Sequence, residues 1–139
     1  MLSFPKLALL GLELGGNKLG GEGLLGFCPG LAQNKSLTTL GMADNQILSR
    51  TVDVEALSLL ASCVAKHPSL QEINLLYNPI EEAGASALLP AAENKNIIQF
   101  LLDTNVPEAI YRQLYRSAPA KNLSKKKKKK GKNTKKVGR

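Results

Sequence analysis

Aromatic residues, histidine and cysteine are all scarce in this chain of 139 residues: it has no tryptophan, three tyrosines, three phenylalanines, one histidine and two cysteines. Cys28 and Cys63 form no CxxC pair and sit in no Cys/His cluster, which removes a zinc framework and a redox motif from consideration. The lone His67 precedes Pro68 in a loop context, and no Ser/His/Asp or Cys/His set can be assembled around it. No apolar run approaches the length of a membrane span. Leu7–Leu12 is cut short by Glu13 with no cleavage site after it, and so does not read as a leader. Gly15-Gly16-Asn17-Lys18-Leu19-Gly20-Gly21 is glycine-rich but lacks the Gly-Lys-Ser/Thr ending of a phosphate loop. The sequons at Asn34 and Asn122 are matches short enough to arise by chance. These absences argue against an enzyme and leave no catalytic residue, cofactor or metal ligand to name.

Acidic residues are missing from one region only. Residues 1–120 hold eight Lys or Arg against eleven Asp or Glu, whereas residues 121–139 hold eleven basic residues and no acidic one. The formal charge of +8 therefore combines a mildly acidic body with a strongly basic tail. Lys125, Lys126, Lys127, Lys128, Lys129 and Lys130 run consecutively, and Lys132, Lys135 and Lys136 follow. With no apolar pattern to offset chain entropy, residues 118–139 are expected to be a disordered lysine-rich tail, and residues 1–117 a single domain.

What the body does have is a pattern repeated in register. Leu9–Leu12–Leu14–Asn17–Leu19 is followed by Leu37–Leu40–Met42–Asn45–Ile47, Leu70–Ile73–Leu75–Asn78–Ile80 and Ile97–Phe100–Leu102–Asn105. Each copy places apolar residues at positions 1, 4 and 6 and Asn at position 9, with spacings of 28, 33 and 27 residues. The apolar-x-apolar alternation makes a short strand with one buried face. No such strand can form a core alone, so the copies must stack as a parallel sheet with a crossover between neighbours. Stretches 22–33, 54–66, 81–93 and 107–116 are predicted as helices. Leu24, Leu25, Cys28 and Leu31 share one face of the first, and Leu57, Leu60, Cys63 and Val64 one face of the second. Both cysteines are therefore expected as unpaired buried thiols, suited to a reducing compartment. Glu81 and Glu82 fall at a helix start, where the helix dipole favours them.

This pattern resembles the leucine-rich repeat family over roughly residues 4–117. The spacing near 28 residues, together with Gly23 and Gly84 six residues past Asn17 and Asn78, is similar to the ribonuclease-inhibitor type, with a tropomodulin-like layout as one branch. The resemblance implies an α/β solenoid of about four repeats, right-handed, with a short parallel sheet on the concave side and helices on the convex side. It also implies that Asn17, Asn45, Asn78 and Asn105 form a buried ladder bonded to turn backbone. The second repeat is longer than the first, and its excess is placed at Leu48–Asp53 as a bulge from one edge. The fourth, with Pro107 at position 11 and the aromatic stretch Ile110–Tyr115, reads as a terminal cap. No amphipathic capping helix precedes the first strand, so its edge is expected to be unpaired, as in a piece of a longer repeat protein.

In this family the concave face is the usual binding surface. Its outward positions here are Gly11, Glu13 and Gly15, then Thr39, Gly41 and Ala43, then Glu72, Asn74 and Leu76, then Gln99, Leu101 and Asp103. Leu76 and Leu101 on adjacent strands, rimmed by Glu72 and Asp103 and flanked by Tyr77, have the make-up of a small interface. The expectation is a non-enzymatic interaction module or scaffold that binds a protein through Glu13, Glu72, Asn74, Leu76, Tyr77, Gln99, Leu101 and Asp103. The tail lysines would add electrostatic attraction, for instance to an acidic cytoskeletal filament. One alternative is a nuclear, nucleic-acid-associated protein acting through tail contacts to phosphate, since a tail with almost no arginine and no aromatics cannot read bases. Others are an actin-binding, tropomodulin-like protein and a fragment of a larger sensor. The expected location is the cytoplasm, with the nucleus, cytoskeleton and cilium as variants.

Overall fold

A computed structural model describes residues 9–117. Alternation of the apolar positions produces four three-residue strands, β1 (Gly11–Glu13), β2 (Thr39–Gly41), β3 (Glu72–Asn74) and β4 (Gln99–Leu101). They pair in parallel in the order β1-β2-β3-β4, with Leu12 opposite Leu40, Leu40 opposite Ile73, and Ile73 opposite Phe100. Sequence order and sheet order coincide because each strand is followed by a crossover that returns to the next edge. The crossovers are α1 (Gly20–Gln33), α2 (Thr51–Lys66) and α3 (Glu81–Ala87), the last continued by a 3-10 turn at Leu89–Glu93; α4 (Glu108–Leu114) follows β4. The molecule is a short leucine-rich repeat solenoid, with the strands on one face and the helices on the other.

Burial follows the repeat grammar in the middle of the stack. Positions 1, 4, 6 and 11 of the second and third repeats, from Leu37 to Ile80, are all buried, and the helix faces of Leu24, Cys28, Leu31, Leu57, Leu60 and Val64 close the core. The first repeat departs from the expectation. Leu9 is exposed, and Leu12, Leu14 and Leu19 are only partly buried, since among the described residues this repeat has a neighbour on one side alone. In the last repeat Pro107 is exposed at position 11, and Val106 takes the core place instead.

The Asn ladder needs the same correction. Asn45 and Asn78 are buried, but Asn17 and Asn105 are exposed. Each interior Asn reaches back to the preceding repeat. Asn45 Oδ1 accepts from the Asn17 and Leu19 amides, and its Nδ2 donates to the Leu14 carbonyl at 2.8 Å. Asn78 does the same to Asn45, Ile47 and Met42. The Asn17 side chain bonds only within its own turn, to the Leu14 and Gly15 carbonyls.

The helices match their predicted spans with instructive differences. The third stretch changes from α to 3-10 at Pro90, which has no N–H to give to the helical ladder. The long second repeat places part of its excess in the loop after Asn45 and the rest in α2, which at 16 residues outruns the 14 of α1. Its inserted segment does not bulge free. Asp53, expected in a surface loop, is fully buried in the first turn of α2 beside Gly21, where a Cβ would collide with the Asp53 backbone. Arg50 binds that carboxylate through Nε at 2.7 Å and Nη2 at 3.1 Å, and lies 3.7 Å from Glu22 on α1. The guanidinium holds the Asp53 carboxyl below its ordinary range. Gly84 has a packing reason of its own, since a Cβ there would strike Leu57 and Ile80.

Candidate functional site on the open face of the sheet

Strand alternation sends Leu12, Leu40, Ile73 and Phe100 inward and leaves the intervening side chains on the open, concave face. All eight predicted binding residues lie on or beside this face, on β1, β3, β4 and the turns that follow them. They divide into two groups rather than forming one patch.

The first group surrounds a shallow trough of about 330 Å³ lined by Gly11, Glu13, Thr39, Gly41, Glu72, Asn74 and Gln99, with backbone of the inward residues as its floor. Gly11 and Gly41 carry no side chain, and neighbours take the space: Thr39 Oγ1 lies against Gly11, and the Glu13 carboxylate leans over Gly41, which it covers. Glu13 Oε1 also accepts from the Gly15 amide at 2.8 Å, and Asn74 Oδ1 from the Leu76 amide at 2.9 Å. These two residues thus order their own turns as well as facing solvent.

The second group lies at the far end of the sheet. Leu76, Leu101, Leu102, Asp103, Thr104 and Asn105 line a depression of about 530 Å³ together with Tyr111 and Tyr115 of the C-terminal segment. The two tyrosine rings stack with centroids 4.9 Å apart. Partial burial, then Tyr115 and Asp103, raise the pKa of the Tyr111 phenol. Asp103 Oδ2 accepts from the Tyr77 amide at 3.0 Å, tying this rim to the preceding turn. Tyr77, expected to be the aromatic anchor, instead projects outside the depression at 69% exposure, with its backbone at a φ of +63°. The aromatic wall comes from Tyr111 and Tyr115, which sequence reading had assigned to a cap. Their spacing of four residues, one helical turn, was the available signal, but only the return of α4 over β4 brings them beside Leu101.

That return also finishes the sheet. Phe100 and Arg116 exchange both backbone hydrogen bonds as an antiparallel bridge, at 2.7 and 3.1 Å. The Arg116 guanidinium then donates to the carbonyls of Ala92, Asn94 and Ile97. Among the described residues, nothing pairs with the outer edge of β1.

Away from this face, Cys28 is buried and Cys63 half-buried, so the expectation of two core thiols holds for the first and is corrected for the second. Burial, and then Cys63 alongside, push the Cys28 thiol up to about 12. His67 stands where the neighbouring repeats have Asn34 and Asn94. Its Nδ1 accepts from the Ser69 and Leu70 amides at 3.2 and 3.1 Å, as Asn34 Oδ1 accepts from Ser36 and Leu37. It is a loop residue with a structural task, as its sequence context suggested. Among the described residues there is no group of three or more His, Cys, Asp or Glu able to hold a metal, and no helix long and apolar enough to cross a membrane. The lysines of the tail, Lys125 to Lys136, lie outside the described residues.

Sequence comparisons point to the same repeats. A family model described as Leucine Rich repeat matches residues 9–28 and 66–89. The chain is 38% identical over 84 residues to the mouse (Mus musculus) protein named NACHT, LRR and PYD domains-containing protein 5, a stretch that covers 60% of this chain and 7% of that protein. The repeated strand–Asn–helix unit and the parallel sheet make the fold a leucine-rich repeat solenoid, and the chain is similar to leucine-rich repeat proteins over the matched residues.

Proposed function

We propose that this chain is a non-enzymatic binding module that holds a protein partner along the concave face of its sheet. The observation that carries this reading is the depression formed by Leu76, Leu101, Tyr111 and Tyr115 with Asp103 on its rim. It joins an apolar and aromatic anchor site to a polar border, the composition by which protein interfaces gain most of their affinity. Leucine-rich repeat domains generally serve protein–protein interaction, and the relative at 38% identity contributes the same kind of repeat.

Charge narrows the partner. The outward positions of the four strands present Glu13, Glu72 and Asp103 and no lysine or arginine. A phosphate backbone or an acidic filament is repelled by such a face and would be attracted by the tail alone. A protein segment with basic residues beside an apolar anchor fits it better. The free thiols Cys28 and Cys63 suit a reducing compartment such as the cytoplasm.

Affinity capture from cell extract tests the reading, using the full chain, the chain ending at Ala120 and the variant Leu101→Lys. Each is run at about physiological and about threefold higher salt, since screening weakens exposed charge contacts. The expected result is a partner retained by the first two proteins at both salts and lost with Leu101→Lys, whose helical content by circular dichroism is unchanged. A catch that vanishes with the tail or with salt, and ignores Leu101→Lys, refutes it.

A further inference from the structure

The concave trough is an unpartnered sheet face whose charge is of one sign. Three carboxylates lie on the concave face, Glu13 and Glu72 at the trough and Asp103 on the rim of the neighbouring depression, and no outward position of the sheet carries a cation. Residues 9–117 hold eleven acidic and seven basic residues, whereas residues 118–139 hold eleven basic residues and none acidic. A trough of about 330 Å³ lies between the side chains of this face.

The point from which the basic segment departs is fixed. Arg116 is bridged to Phe100, so the chain leaves the described body at Ser117, at the β4 side of the sheet. Lys125 stands eight positions after Ser117, a reach of up to about 27 Å when extended. Four strands spaced about 4.8 Å apart place β1 about 14 Å from β4. The lysine run can therefore lie across the whole trough without strain. Tethering raises its local concentration at the face well above that of a free peptide.

We propose that the chain's own lysine-rich segment, Lys125–Lys136, docks in cis on the concave face, its ammonium groups against Glu13, Glu72 and Asp103. This rests on the reading of that face as the binding surface and adds regulation to it. The tail is a tethered competitor, and a partner must displace it or carry a basic segment of its own. Exposed charge pairs contribute little individually, so the docking is weak, fast and sensitive to salt.

Paramagnetic broadening in the full chain tests this without any partner. A spin label is placed at Gly131→Cys in a Cys63→Ser background, where the remaining Cys28 is buried. At about 0.05 M salt, the amide signals of Gly41, Asn74 and Leu101 are expected to be lost, while those of the outer helix residues Glu55 and Ser62 persist; at about 0.5 M salt the lost signals return. The triple variant E13Q/E72Q/D103N keeps the acceptors that serve Gly15 and Tyr77 and should also restore them. Replacing Lys125 through Lys130 with Gln, which leaves the body untouched, should do the same. Persistence of the concave signals at low salt, or equal broadening over the helices, overturns the proposal. So does broadening seen only when spin-labelled and isotope-labelled chains are mixed, because the tail would then occupy a second copy. Since the measurement involves no partner, its failure leaves the capture result with Leu101→Lys to stand or fall separately.

Discussion

At the scale of single residues, His67 does in one loop what Asn34 and Asn94 do in the loops on either side. It can accept two backbone N–H groups only as a neutral imidazole with its proton on Nε2, and that nitrogen is buried without a well-aligned partner. Burial, followed by the charge of Lys35, lowers its pKa below the ordinary 6.5. With the folded pKa below the unfolded one, this stabilisation is fully present above pH 6.5 and is lost as pH falls from there through the folded value. Denaturant unfolding from pH 7.5 to 5 should show that loss. His67→Asn should abolish the pH dependence while retaining the acceptor, and His67→Ala should cost about 1–3 kcal/mol at pH 7.5 by orphaning both amides. The ladder makes a second residue-scale prediction. Asn45→Ala orphans backbone groups in two repeats and should cost about 3 kcal/mol in urea melts, whereas Asn17→Ala, on an exposed turn, should cost about 0.5 kcal/mol or less. The thiols give a third. Alkylation of the native protein at pH 8 should modify Cys63 first and leave Cys28 unreacted until unfolding, because only the thiolate is reactive and Cys28 holds its proton to about 12.

At the scale of elements, the two ends of the sheet are finished differently. The β4 edge is covered by the strand-like return at Arg116, whose guanidinium satisfies three carbonyls at the end of the 3-10 turn. Arg116→Ala should therefore cost about 2 kcal/mol and loosen the bridge to Phe100 first, which hydrogen exchange of the amides at positions 100 and 116 would read. No sequence rule singled out Arg116, because its partners lie some twenty residues away and become neighbours only when α4 folds back. The inserted segment of the second repeat teaches the same point. Its extra length was legible, but the burial of Asp53 was not, since the side chain is tied to Arg50 and pressed on Gly21 of the adjoining helix. A charged residue near an insertion reads as a surface feature until its partner is placed.

At the scale of the whole molecule, each repeat buries its core only against its neighbours, and the interior Asn residues stitch each repeat to the one before. Four repeats are few enough, and the interfaces between them continuous enough, for the stack to melt as a unit. Thermal unfolding followed by circular dichroism and by the fluorescence of Tyr77, Tyr111 and Tyr115, all in the third and fourth repeats, should give coincident single transitions. Separate transitions would show the half-exposed first repeat fraying independently of the rest.

The sequence by itself determined the solenoid. The period of two within each strand and the regular return of Asn specify strands, crossovers and stacking order, because those patterns are local and each copy repeats the same instruction. It also placed the outward-facing residues, since alternation fixes which way a strand side chain points once its neighbours are buried. Only the tertiary structure decided how the ends differ from the middle, which aromatic residues join Leu76 and Leu101, and which buried polar groups find partners. These depend on the number of neighbours a repeat has and on where α4 returns across the sheet. Both are properties of the assembled stack, and no single copy of the pattern encodes them.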